Sequence, residues 1–542
     1  MEHAMARAAA FIFSMNEAHR LAVVAFSSNY SGGCDDIWPT PTASLQPANL
    51  TNKTNAVTAV MGLSDGGMTP MGAGLERAIQ ILTTPMAPDR KRVILLLSDG
   101  YENWGSPRAC SGSDPANPCV GGSILSQLQT NNIMVFSIAL GTSAWTECLE
   151  CLSSQSNGEW YATPGPGIDL TEVYLDMQQT YTADDLYRVD RGVSGGGDDS
   201  YTTYFEGVDD VLYFVLSWDD LEADLDLRLR PPHGSWNRPE GLSNASAHRG
   251  KGYVVVRVEK PGKGTWGYEV TGDDGENYLV AVRSDRVGVR LEMDLKSTGL
   301  VGNPIKIQAH LAEGKKPIKD AKLTATVQVP VNTSLATRLR QASRDYMLKH
   351  KRIPVDPVEL KKHPDISPRA AFIRKITGEK QEPLVKTRSI DVPLQHKGNG
   401  IYSGMLKGDY TTIAGQYRVT VKCNEKRFHR TFSKQVRLDP GKIDYGKSFA
   451  EMLMVKSEER ESIWMLRVYP VDRFGNAITA PSLVERVKIA VKNARIFKKA
   501  EISLGAFQRE LSVSPGQKPV LNMVTIDGNR LKIKRIDSRK LR

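Results

Sequence analysis

The chain changes grammar once, near residue 193, and that change constrains its fold more than any single motif. Before it, apolar runs such as Leu21-Ala-Val-Val-Ala-Phe26 and Val93-Ile-Leu-Leu-Leu97 alternate with stretches of helical period. Continuous apolar strands need cover on both faces, which a parallel sheet between helices supplies. The spacing predicts helices at Ala4–Met15, near Lys53–Leu63, at Met71–Leu82, near Gly122–Asn131, at Trp145–Ser154 and at Leu170–Thr180. Strands are predicted at Leu21–Phe26, Arg92–Leu97, Ile133–Leu140 and Glu159–Ala162. Such an order implies a doubly wound α/β domain.

After Val193-Ser-Gly-Gly-Gly197 the pattern has period two. Val211–Trp218, Ala223–Leu229, Tyr253–Val258, Gly264–Val270 and Tyr278–Val282 read as strands of a β-sandwich. At 542 residues the chain is too long for one core. We divide it into residues 1–190 (α/β), 191–298 (β-sandwich), 299–440 and 441–542, the last two reading as immunoglobulin-like. The third unit carries a basic, proline-containing insertion over about 335–388, and an excursion of that length is usually functional or disordered.

Charge is divided as sharply as grammar. Residues 1–300 hold 22 Lys+Arg against 38 Asp+Glu, and the remainder holds 49 against 23. An acidic front and a basic back imply modules that attract each other, or modules with different partners. The basic half shows no zinc-finger, RNA-recognition or basic-zipper pattern, so an anionic surface is the expected partner there and nucleic acid is not. No apolar run reaches the ~20 residues of a membrane span. Met1–Arg7 has no signal-peptide character, and the sequence reads as one whose leader lies upstream.

Two segments resemble parts of the metal-ion-dependent adhesion site of von Willebrand factor type A domains. They are Asp65-Gly-Gly-Met-Thr69-Pro-Met before a helix and Leu97-Ser-Asp99-Gly at a strand end. Phe136-Ser-Ile-Ala-Leu-Gly141 and Trp160-Tyr-Ala support the same family in the same order. The resemblance implies Thr69 as a hydroxyl ligand and Asp99 as an outer carboxylate of a Mg²⁺ ion. That ion would accept an acidic side chain from a protein partner. The family's Asp-x-Ser-x-Ser segment and the strand before it have no counterpart here, so the site is incomplete and the sheet is expected to lack its first strand. On residue chemistry alone, Thr69 reads equally as a helix cap before a first-turn Pro70, and Asp99-Gly100 as a strand-ending turn.

A second acidic run, Trp218-Asp-Asp-Leu-Glu-Ala-Asp-Leu-Asp226, offers Asp219, Asp224 and Asp226 as calcium ligands, against the alternative of a solvated strand edge. Cys110 and Cys119 bracket a loop and suit a loop-closing disulfide. Cys148-Leu-Glu-Cys151 lies on a predicted helix, as disulfide or buried thiols in preference to zinc. The β pattern after the first unit is similar to bacterial surface proteins and to calcium-activated chloride channel regulators, without the latter's His-Glu-x-x-His. No nucleophilic triad or phosphate loop emerges, and the nine His are scattered. The sequence therefore reads as a non-enzymatic, extracellular or cell-envelope adhesion protein. The alternatives are a scaffold with a degenerate metal site or, remotely, a hydrolase whose catalytic domain lies upstream.

Overall fold

A computed structural model describes residues 2–38, 45–64, 66–84, 90–102, 105–110, 118–140, 144–161, 167–181, 185–196, 199–207, 211–284, 288–355, 372–373, 375–376, 386–425, 428–457, 462–480, 482–496, 498–514 and 516–534. An α/β unit opens the chain and strand-rich units follow it. Asp65 lies outside the described residues, as does most of the 335–388 insertion beyond Val355.

In the α/β unit the helices are Glu2–Ser14, Leu50–Met61, Met71–Thr83, Ser123–Thr130, Thr146–Gln155 and Ile168–Tyr181. Arg92–Ser98, Ile133–Ala139 and Trp160–Tyr161 form a parallel ladder. Val23–Phe26 pairs instead with Cys34–Trp38, antiparallel, in a sheet of its own. Among the described residues no ladder joins Val23–Phe26 to Arg92–Ser98. Burial differs between these strands and the next. Val23, Ala25, Val93, Leu95 and Leu97 are only half-buried, whereas Val135, Phe136 and Ile138 on the next strand are fully buried.

The next unit packs a five-stranded antiparallel sheet (Asp185–Val193, Val211–Trp218, Ala245–Gly250, Tyr253–Glu259, Asn277–Ser284) against a three-stranded one. The latter comprises Ser200–Phe205, Leu225–Arg230 and Gly264–Gly272. Leu225, Leu227 and Leu229 point into the core between them, as their alternation predicts. Val211–Trp218, by contrast, is buried at every residue. Its Leu212, Phe214 and Leu216 face the second sheet, while Tyr213 and Val215 face the Glu2–Ser14 and Ile168–Tyr181 helices. The first helix is thus a shared core element between two units, not a surface helix. Its Arg7 is wholly buried and donates to the carbonyls of Gly252 and Trp218 at a turn of the sandwich.

The third unit is built on one long antiparallel path that includes Ile305–Glu313, Leu323–Pro330, Thr387–Gly398, Gly415–Glu425 and Phe428–Asp439. The fourth contains Phe449–Ser457, Ser462–Tyr469, Ala506–Val513, Val487–Lys492 and Val520–Ile526. The insertion begins with the helix Leu335–His350, capped by the Ser334 hydroxyl on the Thr337 N–H and closed by Lys351 in the left-handed region. Met347 packs with Leu453, Val455, Ile463 and Met465, so the helix is a strap across the fourth unit.

Charge docks the acidic front on the basic back. Arg418 of the third unit reaches Glu172 at 2.7 Å and Asp176 at 2.6 Å on the Ile168–Tyr181 helix. Arg437 pairs with Glu150, and Arg430 pairs with Glu206 at 2.9 Å while lying 4.0 Å from the Tyr187 ring centroid. Part of the basic excess is therefore spent inside the molecule. Burial pushes the Asp176 carboxyl up to about 7 against the pull of Arg418, while Arg418 and Arg191 outweigh burial at Glu172 and hold it low.

Candidate functional site

Three turns meet at one rim of the α/β unit. Gly66–Pro70 leads into the Met71–Thr83 helix, Ser98–Gly100 ends a strand, and Ser27–Asn29 follows Val23–Phe26. In open α/β sheets this rim, beyond the carboxyl ends of the strands, is where ligands bind. Thr69 lies against Gly100, the residue that follows Asp99. The Thr69 hydroxyl sits so close to Gly100 that a Cβ there would meet Oγ1 at 2.4 Å. Asp99 beside it is exposed and Thr69 is half-buried.

The helix begins at Met71 with Pro70 as its cap residue and no side-chain cap. Thr69 therefore does not cap it, and Pro70 stands one position earlier than the capping alternative requires.

The sequence reading missed Ser27, Ser28 and Asn29. Ser28 exchanges two bonds with Met68: its N–H donates to the Met68 carbonyl at 3.1 Å and its hydroxyl accepts the Met68 N–H at 2.7 Å. The Ser27 hydroxyl donates to the Gly66 carbonyl at 2.9 Å. Gly67, at φ +81°, is pressed against all three side chains, and a Cβ there would lie 2.2 Å from Ser27 Oγ. The signal was present: a polar triple directly follows an apolar strand, as Ser98-Asp99-Gly100 does.

Glu102 was also missed, and it anchors the next loop. Its buried carboxylate accepts from the N–H groups of Gly72 at 2.8 Å, Ala109 at 2.9 Å and Cys110 at 3.4 Å. Burial pushes its pKa up, opposed by those N–H groups and Arg108. Gly72 permits this fit, since a Cβ would stand 2.1 Å from the Pro107 carbonyl.

The disulfide expectation is corrected here. Cys110 bonds to Cys148 and Cys119 to Cys151, so no Cys110–Cys119 bridge closes the loop. Because Cys148 and Cys151 share one face of the Thr146–Gln155 helix, each captures one end of the loop. The pair staples that segment to the helix beside the site.

As a metal site the rim is half built. Thr69 and Asp99 supply one hydroxyl and one carboxylate, and the Ser27 and Ser28 hydroxyls are engaged by backbone groups. An octahedral Mg²⁺ takes about six oxygens, so the residues present do not by themselves enclose one. Among the described residues no three His, Cys, Asp or Glu side chains are grouped to hold a metal.

The structure sets Asp219 apart from the other two calcium candidates. Asp219 accepts the Ile168 N–H at 3.0 Å at the start of the last helix of the α/β unit. The Asp224 N–H donates to Asp273 at 2.8 Å. Asp226 is paired with Arg249 at 3.0 Å. Asp224 and Asp226, two positions apart, fall on the same side of the chain, whereas the turn before them sends Asp219 to another unit.

Residues 3–167 match the von Willebrand factor type A domain family. No curated protein matches the chain. Among solved structures, a von Willebrand factor type A protein from Catenulispora acidiphila is 17% identical, covering 58% of each chain at a TM-score of 0.29. The propeptide form of the Bacillus licheniformis lipase BlEst2 is 10% identical over 65% of each chain, TM-score 0.23. Native E. coli alpha-2-macroglobulin is 11% identical over 62% of this chain and 21% of that one, TM-score 0.19. Overlaps this low carry no argument about function. Among the described residues no helix is long and apolar enough to cross a membrane.

Proposed function

We propose, from the premise that residues 3–167 are a von Willebrand factor type A domain, that this chain is a non-enzymatic adhesion protein. It binds a protein partner at the rim formed by Ser27–Asn29, Gly66–Thr69 and Ser98–Gly100. The observation that carries this reading is the convergence of three polar turns, one of which carries the exposed Asp99, on a rim fixed by a buried anchor and two disulfides. A rigid, water-accessible polar rim favours recognition at low ordering cost. An acidic partner side chain fits if a divalent cation intervenes, and such a cation needs oxygens beyond Thr69 and Asp99. The β units, which we read as immunoglobulin-like, serve as a docked platform for the rim outside the cell or in its envelope.

A second reading, a scaffold whose metal site is degenerate, draws on the same incomplete ligand set. There, contacts would fall on the β units. Peptides selected from a display library separate the two. Binders of the first kind protect the Met68, Thr69 and Asp99 amides from hydrogen exchange. Binders that protect only amides beyond residue 200 would replace adhesion at the rim with the scaffold reading.

A further inference from the structure

The strap helix Leu335–His350 covers a buried cluster of charge that does not balance. Glu451, wholly buried on the Phe449–Ser457 strand, is fully used. Its Oε1 accepts from Arg344 Nε at 2.8 Å and from the Tyr469 hydroxyl at 2.6 Å, and its Oε2 accepts from Arg344 Nη2 at 3.0 Å. That bidentate pair neutralises both members.

Two further guanidiniums lie in the same seam without a carboxylate of their own. Arg467, on the Ser462–Tyr469 strand, has no exposed surface. Its one hydrogen bond to a backbone group is a long one, Nη2 to the Leu504 carbonyl at 3.4 Å. Its Nε and Nη1 are buried with no hydrogen-bond partner, and so is Nη1 of Arg340 on the strap helix. Both guanidiniums flank one aromatic ring, at 5.2 Å and 5.8 Å from the Tyr469 centroid. The Tyr469 hydroxyl donates to Glu451 while its oxygen accepts from Arg467, which still leaves Nε and Nη1 unpartnered. The Leu504-Gly505 turn closes the seam against the helix, where a Cβ on Gly505 would stand 2.1 Å from the Ala336 carbonyl.

Buried donors are almost always satisfied, and a buried cation without a counter-charge is among the costliest groups a fold can hold. Burial weakens proton binding at both Arg467 and Arg340, and at Arg340 the neighbouring Arg467 adds to it. Arginine nonetheless keeps its charge under ordinary conditions.

We propose that Arg340 and Arg467 form the seat of a small inorganic anion, which bridges the strap helix to the fourth unit. The three unpartnered N–H-bearing nitrogens supply the donors and the two guanidiniums supply the charge. The anion fastens the strap helix in place, so the docking of that helix depends on the ion composition around the protein.

The test is thermal unfolding of the full chain in chloride, bromide, sulfate or phosphate, against gluconate at matched ionic strength. The Tm is expected to rise with at least one small anion by about 3–6 °C per tenfold concentration above its Kd. Arg340→Met, at a half-buried position on the helix, is expected to fold and to lose that rise. Arg467→Met is expected to be anion-independent and at least as stable as the wild type in gluconate, because replacing an uncompensated buried charge with an apolar side chain removes a cost. If Arg467→Met does not fold, Arg340→Met decides. The proposal is overturned if no small anion outperforms gluconate, or if Arg340→Met keeps the wild-type dependence. In bromide-soaked crystals, an anomalous peak between the two guanidiniums supports the seat, and a seam without one at saturating bromide contradicts it.

Discussion

Replacing Arg418 by Met removes the pivot on which the acidic and basic halves meet. The side chain is 16% exposed, and its partners Asp176 and Glu172 are 5% and 19% exposed. Glu172 keeps Arg191, so the carboxylate left alone is Asp176. Breaking a buried pair by removing one partner costs about 3–5 kcal/mol. Asp176 can limit that loss by taking up a proton. Its folded pKa, about 7, lies above its unfolded value of 3.8, so its contribution is fully present below pH ~4 and is lost as pH rises through 7.

Glu172, held low, acts oppositely: its contribution is present above its unfolded value and lost as pH falls toward its folded one. The Arg418→Met variant should therefore lose about 3–5 kcal/mol at pH 8. At pH 5 it should lose only about 1–2 kcal/mol, the worth of the lost hydrogen bonds. Urea unfolding followed by circular dichroism at the two pH values reads this directly. Adding Asp176→Asn should recover most of the pH 8 loss. A loss below about 1 kcal/mol at both pH values, or no recovery in the double variant, would refute the claim that this pair docks the units.

Other consequences concern the rim. Gly100→Ala places a Cβ 2.4 Å from the Thr69 hydroxyl; it should cost about 1–3 kcal/mol by overpacking and displace Thr69, as melting curves and a crystal structure would report. Glu102→Ala strands the Gly72, Ala109 and Cys110 N–H groups; a loss of about 2–4 kcal/mol is expected, and protease cleavage within 101–119 should accelerate. Non-reducing peptide mapping should recover Cys110 joined to Cys148 and Cys119 joined to Cys151. A Cys110–Cys119 peptide would restore the simpler loop.

Much of the α/β unit was legible because its signals are local. The apolar runs at Arg92–Ser98 and Ile133–Ala139 are strands of one parallel ladder, and Thr69 lies against the Gly100 turn at the end of the first. What was not legible depends on elements distant in sequence. Spacing alone could not show that Cys110 reaches past Cys119 to Cys148, since helix periodicity sets which cysteines share a face. Val211–Trp218 was read as alternating because nothing local reveals that the Glu2–Ser14 helix covers its second face. Charge counting foresaw attraction between the halves but could not single out Arg418 or Arg430 from the 71 basic residues. Ser27–Asn29 carried a readable cue that only the neighbouring Gly66–Thr69 turn makes meaningful.

The most direct test of the rim as the partner-binding face is the affinity of one display-selected acidic peptide for the full chain, measured with and without Mg²⁺. The comparison sets wild type beside Asp99→Asn, with Asp226→Asn as the control on a remote strand. The account predicts at least a tenfold weakening, about 1.4 kcal/mol, for Asp99→Asn and none for Asp226→Asn. Equal affinities for wild type and Asp99→Asn would contradict it.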